Sequence, residues 1–305
     1  IKVGNQTTIN VSLEEATSSL EEVVVVAYGA QKKVTMTGSV ASVNIGSLKT
    51  PVANLSNALQ GKVAGIISVQ SSGEPGYDNS TFTIRGIGTF TGNTSPLVIV
   101  DGVQRDDVNS TYGGAYNNID PEDIVSISLL KDASATAVYG AKGANGVMII
   151  TTKRGSVGKP KISIKAETGF TNFTKVPEML SGVDYMMLYN ESRRNSELSE
   201  VYSREQILKT ESGLDPYLYP NVDWIDKIYK NVSSVSNVNL NISGGSDLVR
   251  YYLSASFYNQ GGQYNVKKEN GYDPNLNYKR YDFRSNVDVN ITKTTLLQMN
   301  LSAIM

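Results

Sequence analysis

Tyr281, Phe283, Val287, Val289 and Ile291 alternate with Asp282, Arg284, Asn286, Asp288 and Asn290, so one side of this segment is apolar and the other strongly polar. The same period of two sets Val249, Tyr251, Leu253, Ala255 and Phe257 against Arg250, Tyr252, Ser254, Ser256 and Tyr258. It also sets Ile162, Ile164, Ala166 and Phe170 against Lys161, Ser163, Lys165 and Glu167. Successive side chains of a strand point to opposite faces, so each segment can bury only one of its surfaces. Lys161–Phe170, Val235–Ser243, Val249–Tyr258, Tyr281–Ile291 and Thr295–Met305 are expected as strands of an antiparallel meander, parted by turn signals such as Gly244, Gly245, Ser246 and Asp247. The pattern leaves open what covers the apolar side. A soluble antiparallel sheet with one wet face alternates in this way. Strands of about ten tilted residues also suit a bilayer, where Tyr251, Phe257, Tyr258, Tyr281 and Phe283, near strand ends, would form an aromatic girdle.

Upstream the pattern changes. Ile1 to Leu13 alternates like a single strand, which cannot be stable alone, and is expected to close an upstream β-sandwich-like domain. Residues 14–31 form a linker in which the polar lead EEATSSLEE runs into Val23, Val24, Val25 and Val26, four β-branched residues that favour extended backbone. Residues 32–155 are Gly-rich and read as a compact mixed domain: a short helix at Asn54–Leu59, strands at Phe82–Arg85 and Leu97–Val100, an Asp120-capped turn with Pro121 at its first position, a strand at Val125–Leu130, a helix at Ala133–Tyr139 and a strand at Gly146–Thr152. Glu122 and Asp123 then lie at the positive end of that turn. From residue 156 the alternating strands begin, with a long polar insert at 171–231 in which Val183–Ser192 and Arg204–Lys209 are expected to be helical and outside the sheet.

Composition removes whole classes of chemistry. The 305 residues contain neither Cys nor His, which leaves no thiol nucleophile, disulfide, His-based triad or ordinary zinc site. No metal or cofactor is expected. The net charge of −1, with no basic cluster, gives no field for nucleic acid. No apolar run approaches the roughly 20 residues of a spanning helix. Gly86, Ile87 and Gly88 begin like a dinucleotide loop, but position 91 is Thr, so the six-residue fingerprint fails. A glycosidase needs carboxylates flanking a cleft, whereas Glu122 and Asp123 are neighbours on one turn, so no catalytic residue is assigned and no enzyme is expected. Arg85 and Asp101, each beside a glycine at a strand end, are expected to make ion pairs between the mixed domain and the long strands; Lys131 and Asp132 are expected to be structural.

Several linked segments carry a resemblance. PEDIVSISLLKDASATAVYGAKGANGVMIITTKRG (Pro121–Gly155), SPLVIVDGV (Ser95–Val103), IRGIGT (Ile84–Thr89) and LQGKVAGI (Leu59–Ile66) resemble the plug domain of TonB-dependent outer-membrane transporters. LEEVVVVAYGAQKK (Leu20–Lys33), TGSVASV (Thr37–Val43), NVDWIDKIYK (Asn221–Lys230) and NLNISGGSDLVRYYLSASFYNQGG (Asn239–Gly262) are similar to the SusC/RagA-type subfamily. The resemblance implies a mixed α+β plug domain inside a transmembrane antiparallel β-barrel of a Gram-negative outer membrane. A barrel of that family closes with roughly 22 strands. An edge left open in lipid strands backbone groups without partners, so the chain is expected to be part of a longer polypeptide.

The resemblance further implies active import of a nutrient, oligosaccharide or oligopeptide. Energy would arrive from TonB at Glu22, Val23, Val24, Val25, Val26, Ala27 and Tyr28, an extended apolar segment suited to pairing with a partner's strand edge. A buried plug strand is the plainer reading of the same valines. Arg85, Gly86, Asp101, Gly102, Lys131, Asp132, Tyr139, Gly140, Gly143, Asn145 and Gly146 would be the plug's structural motif, and Thr89, Asn93, Tyr112 and Tyr116, on the polar loops Thr89–Ser95 and Arg105–Asn118, would face substrate. Implied partners are a SusD-like surface lipoprotein lid, outer-membrane lipid and a polar oligomeric nutrient, with a dimer of transporter–lipoprotein pairs as a further expectation. Siderophore or vitamin import, and a soluble or surface β-sandwich binding protein, are the alternatives.

Overall fold

A computed structural model describes residues 23–26, 29–32, 40–44, 52–88, 94–105, 116, 117, 119–132, 136–266 and 271–305. The valine run forms β1 (Val23–Val26), antiparallel to β2 (Gly29–Lys32) with Val23 opposite Lys32. The expected strand at 1–13, together with Glu22, Ala27 and Tyr28, lies outside the described residues.

A five-stranded mixed sheet follows. It is built from β3 (Val40–Asn44), β6 (Leu97–Val100), β7 (Val103–Arg105), β8 (Ile124–Leu130) and β9 (Val147–Thr152), in the order β3-β8-β9-β6-β7. β6 and β9 run parallel, and every other pairing in this sheet is antiparallel. LVIV and VMII are unbroken apolar runs because the sheet is covered on both sides. Val98, Val100, Ile127, Leu129, Met148 and Ile150 pack on one face with Leu55 and Leu59 of the short helix α1 (Leu55–Leu59). Leu97, Ile99, Leu130, Val147 and Ile149 pack on the other. A separate antiparallel pair, β4 (Ile66–Gln70) and β5 (Ser80–Ile84), lends Phe82 and Ile84 to the first face.

One glycine in this domain is demanded by geometry. Gly146 has φ +91°, and a Cβ there would lie 2.8 Å from Ile84 Cδ1. Gly146→Val is expected to destabilise this domain by about 3 kcal/mol, through backbone strain and overpacking together, read as a lower midpoint in urea unfolding. The helix expected at Ala133–Tyr139 is, in its described part, a 3₁₀ segment at Ala137–Gly143 broken at Gly140 (φ 60°, ψ −150°).

The polar insert carries three helices, α2 (Gly182–Asn195), α3 (Arg204–Ser212) and α4 (Trp224–Ile228). Ser181, Ser203 and Asp223 cap their first turns by accepting from backbone N–H groups. All three lie outside the sheets. The third was not anticipated, because five residues are too few to show a helical period.

The long strands are β10 (Gly158–Thr171), β11 (Ser233–Gly245), β12 (Val249–Gly261), β13 (Asn277–Asn290) and β14 (Leu296–Ile304), an antiparallel meander in chain order. Short turns after Gly245 and Asn290 lie at one end, and the connections 172–232 and 262–276 at the other. Burial is inside out. Asn239, Tyr252, Ser254, Ser256, Arg280, Arg284, Asn286 and Asp288 are buried, whereas Ile162, Ile164, Val238, Leu240, Phe283, Leu297, Met299 and Leu301 are exposed. Register lines up the outward row Ile164–Leu240–Ala255–Phe283–Ala303, each opposite the next. Tyr258, expected in an aromatic girdle, instead points inward and is only 3% exposed, because its parity puts it on the polar face. Phe257 and Tyr281 do pair on the outer side, with ring centroids 5.0 Å apart.

Candidate functional site

The polar side of the long-stranded sheet is buried because the mixed domain sits against it, and one turn of that domain makes most of the ionic contact. Asp120 has extended backbone and its carboxylate accepts from Glu122 N at 2.8 Å. Pro121 starts the single 3₁₀ turn Pro121–Asp123, so three carboxylates emerge within four residues just before β8. Each then reaches the sheet. Asn239 Nδ2 of β11 donates to Asp120 Oδ2 at 3.0 Å, and Lys165 Nζ of β10 donates to Glu122 Oε1 at 2.8 Å. Tyr252 Oη and Ser254 Oγ of β12 both donate to Asp123 at 2.8 Å. Arg284 Nε of β13 stands 3.4 Å from Asp123 Oδ2, an ion pair without hydrogen-bond alignment. One turn therefore engages four consecutive strands.

Burial sets the chemistry of Asp123. Desolvation, then the neighbouring Asp120 charge, push its carboxyl up from the ordinary 3.8 to about 6, against the lowering effect of the Ser254 and Tyr252 hydroxyls and of Arg284. Because the folded value is the higher one, the protonated form is favoured in the native state. The contribution to stability is therefore full below about pH 4 and is lost as pH rises through about 6.

The contact continues beyond β9. Asn286 Nδ2 donates to Thr152 Oγ1 and to Lys153 O, both at 2.8 Å, and Arg154 Nη1 pairs with Asp288 Oδ1 at 2.6 Å. Arg280 donates to the Ala53 carbonyl, and Ala53, Val235 and Tyr258 form a small apolar patch with Tyr278 across the interface. Tyr264 Oη donates to Glu74 at 2.9 Å near the long-loop end.

Arg85 and Asp101 do not bridge the two units as expected. Arg85 pairs with Asp132 inside the mixed domain, and Asp101 accepts from Thr152 N at 2.8 Å and Thr152 Oγ1 at 2.5 Å. Both hold left-handed backbone (φ 60° and 49°) just ahead of Gly86 and Gly102, and both partners lie within the mixed domain, Asp132 just after β8 and Thr152 at the end of β9. Lys131 Nζ donates to the Ala64 carbonyl, Asn145 Nδ2 approaches Ser95 O at 3.5 Å, and Tyr139 packs on the Leu97–Ile149 face. Gly143 sits where a Cβ would come within 3.0 Å of Thr136 O. Tyr116, expected to face substrate, is 3% exposed and its ring stands edge-on to Phe82 at 5.8 Å in the plug core. Thr89, Asn93 and Tyr112 lie outside the described residues. Among the described residues no Asp/Glu cluster forms a metal site.

The acidic turn escaped sequence reasoning because Pro-Glu-Asp after Asp120 is already explained by helix polarity. The available signal was that three carboxylates crowd one short turn, more than its end needs.

Residues 32–147 match the family described as TonB-dependent Receptor Plug Domain. The chain is 36% identical over 296 residues to TonB-dependent receptor P26 of Formosa agariphila, covering 96% of this chain and 27% of that protein. It is 31% identical over 288 residues to TonB-dependent receptor SusC of Bacteroides thetaiotaomicron, covering 93% and 27%. The solved RagAB peptide importer in its open-open state superposes with a TM-score of 0.74 at 29% identity, over 93% of this chain and 32% of that one. The chain thus spans about a quarter of the length of the curated relatives it matches. With a plug domain against the polar side of a sheet whose apolar side is bare, the chain belongs to the SusC/RagA-type TonB-dependent receptors of the Gram-negative outer membrane.

Proposed function

We propose that this chain is the lumen-closing and energy-receiving part of an active importer for a polar oligomeric nutrient, an oligosaccharide or oligopeptide, working beneath a SusD-like surface lipoprotein. The observation that carries the reading is the inverted burial: a polar wall packed on a plug leaves an apolar wall of the kind that acyl chains cover. The similarity to SusC and to a protein described as a peptide importer supports the nutrient class. In this reading residues 1–13 end an upstream β-sandwich-like domain, 14–31 carry the TonB box, 32–155 form the plug and 156–305 begin the barrel. A dimer of transporter–lipoprotein pairs completes the proposed assembly.

An outer membrane has no nucleotide supply, so the work of moving the plug must arrive by mechanical contact. The segment around Val23–Val26 is the proposed handle. Its strand pairing with Gly29–Lys32 uses backbone groups that an incoming TonB strand would need, so partner pairing replaces or extends the hairpin. Val24→Pro removes a donor from that edge and restricts the backbone. The expected result in the full-length receptor is uptake reduced by a factor of about 100 or more, with substrate affinity unchanged, measured by radiolabelled uptake and by equilibrium binding in detergent. Unchanged uptake rules out this segment as the handle. Growth of a deletion strain on separate glycan and peptide panels decides the nutrient.

A further inference from the structure

We propose that Asp123 is a positioning residue that sets how firmly the plug is seated against the barrel wall, and that its protonation tightens the seat. The geometry is unusual for an ionic contact. Two other plug–wall ion pairs among the described residues join a carboxylate to a well-formed cationic partner, Glu122 with Lys165 at 2.8 Å and Arg154 with Asp288 at 2.6 Å. Asp123 instead lies fully inside the interface, its side chain 4% exposed, and is held mainly by two neutral hydroxyls. Among the described residues its one cation, Arg284, is offset at 3.4 Å, with Nε making no aligned hydrogen bond.

The charged groups around it do not balance in its favour. On its own turn stand Asp120, whose negative charge opposes that of Asp123, and Glu122, which is occupied by Lys165 of β10 and approached by Lys153 at 4.0 Å. From β11 comes the neutral Asn239, bound to Asp120. β12 presents Tyr252 and Ser254, and β13 presents Arg284. The residue after β9 offers only its backbone N–H, from Lys153 to the Asp123 carbonyl at 2.7 Å.

An ionised carboxylate here bears the full cost of dehydration and the repulsion of Asp120. Adding a proton removes both costs. It gives up the offset attraction of Arg284, the smallest of the influences on this carboxyl, but need not cost the two hydroxyl contacts, since a hydroxyl can turn from donor to acceptor and receive the new O–H. The wall therefore holds the plug more firmly in acid and releases it more readily near neutrality. This is the reverse of an ordinary salt bridge, which weakens when its carboxylate is protonated.

The test uses the full-length receptor in planar lipid bilayers, with plug release by urea read as the appearance of ion conductance. The wild-type midpoint is expected to rise by about 1 M urea as pH falls from about 7.5 to about 5. Asp123→Asn, neutral at every pH, should remove that rise and hold a midpoint near the acidic wild-type value. Tyr252→Phe deletes a donor that favours the charged form, so the pH at which the wild-type change occurs should move upward, by about one pH unit. This second variant keeps the test decisive where the first fails to assemble. A flat or falling wild-type midpoint on acidification overturns the proposal, as does an Asp123→Asn profile that keeps the wild-type slope or a Tyr252→Phe transition that stays in place. This outcome is independent of what the receptor imports, so it stands or falls apart from the nutrient reading.

Discussion

Ala255→Arg is expected to cost the assembled wall about 2–4 kcal/mol and to leave little folded receptor in the outer membrane, seen as loss of the heat-sensitive gel band of an intact barrel. Ala255 is the middle residue of β12, and its outward neighbours across the sheet are Leu240 and Phe283. It is exposed on the apolar side of the sheet. In water, such a site on a strand tolerates Arg within about 0.5 kcal/mol. In hydrocarbon, the guanidinium has no carboxylate or water to meet and must be dehydrated or dragged toward the headgroups. The penalty for an outward charge depends on depth, so Val249→Arg, at the short-turn end of the same strand, should cost only about 0–1 kcal/mol. Equal and small effects at both positions would mean that the apolar face meets water, and the membrane reading would go with it.

The same logic explains which parts of the fold were legible in the sequence. Period two survives intact in the long strands because one face meets lipid and the other a polar plug, so Leu253 and Ser254 are told apart by parity alone. In the plug sheet both faces are covered, alternation vanishes, and the runs LVIV and VMII betray strands only by their β-branched content and bounding glycines. β4 and β7 were missed: Ile66–Gln70 lies at a partly exposed edge with Ile67 and Val69 turned outward, and three residues of β7 carry no period at all. Partners defeated local reasoning most. Asp123 meets Tyr252 and Ser254 across 129 and 131 residues of chain, a separation at which spacing says nothing. Arg85 and Asp101 failed for the opposite reason. Both have positive φ at a turn and partners within the plug, and a turn's handedness is not written in residue type unless the residue is glycine.

The second large effect is expected at Arg280. Its side chain is 4% exposed, with Nε donating to Asp282 Oδ2 at 2.8 Å while Nη1 reaches the plug at the Ala53 carbonyl. Its guanidinium also lies 5.8 Å from the centre of the Tyr258 ring. Asp282 has one other donor, Ser256 Oγ at 3.0 Å, and its Oδ1 has no partner. Arg280→Ala leaves that carboxylate buried without a counter-charge and strips a donor from Ala53, so a loss of about 3–5 kcal/mol is expected in urea unfolding of the assembled receptor. The size of the loss comes mainly from the abandoned charge, and this can be separated from the pair's own worth. Adding Asp282→Asn removes the charge, keeps the shape and should recover about 2 kcal/mol or more, so that the double variant is more stable than Arg280→Ala alone. Asp282→Asn by itself strands Arg280 in the same way and should also destabilise. If instead the two single losses add in the double variant to within about 0.5 kcal/mol, the residues are not coupled and Arg280 contributes through the Ala53 carbonyl and its packing on Tyr258.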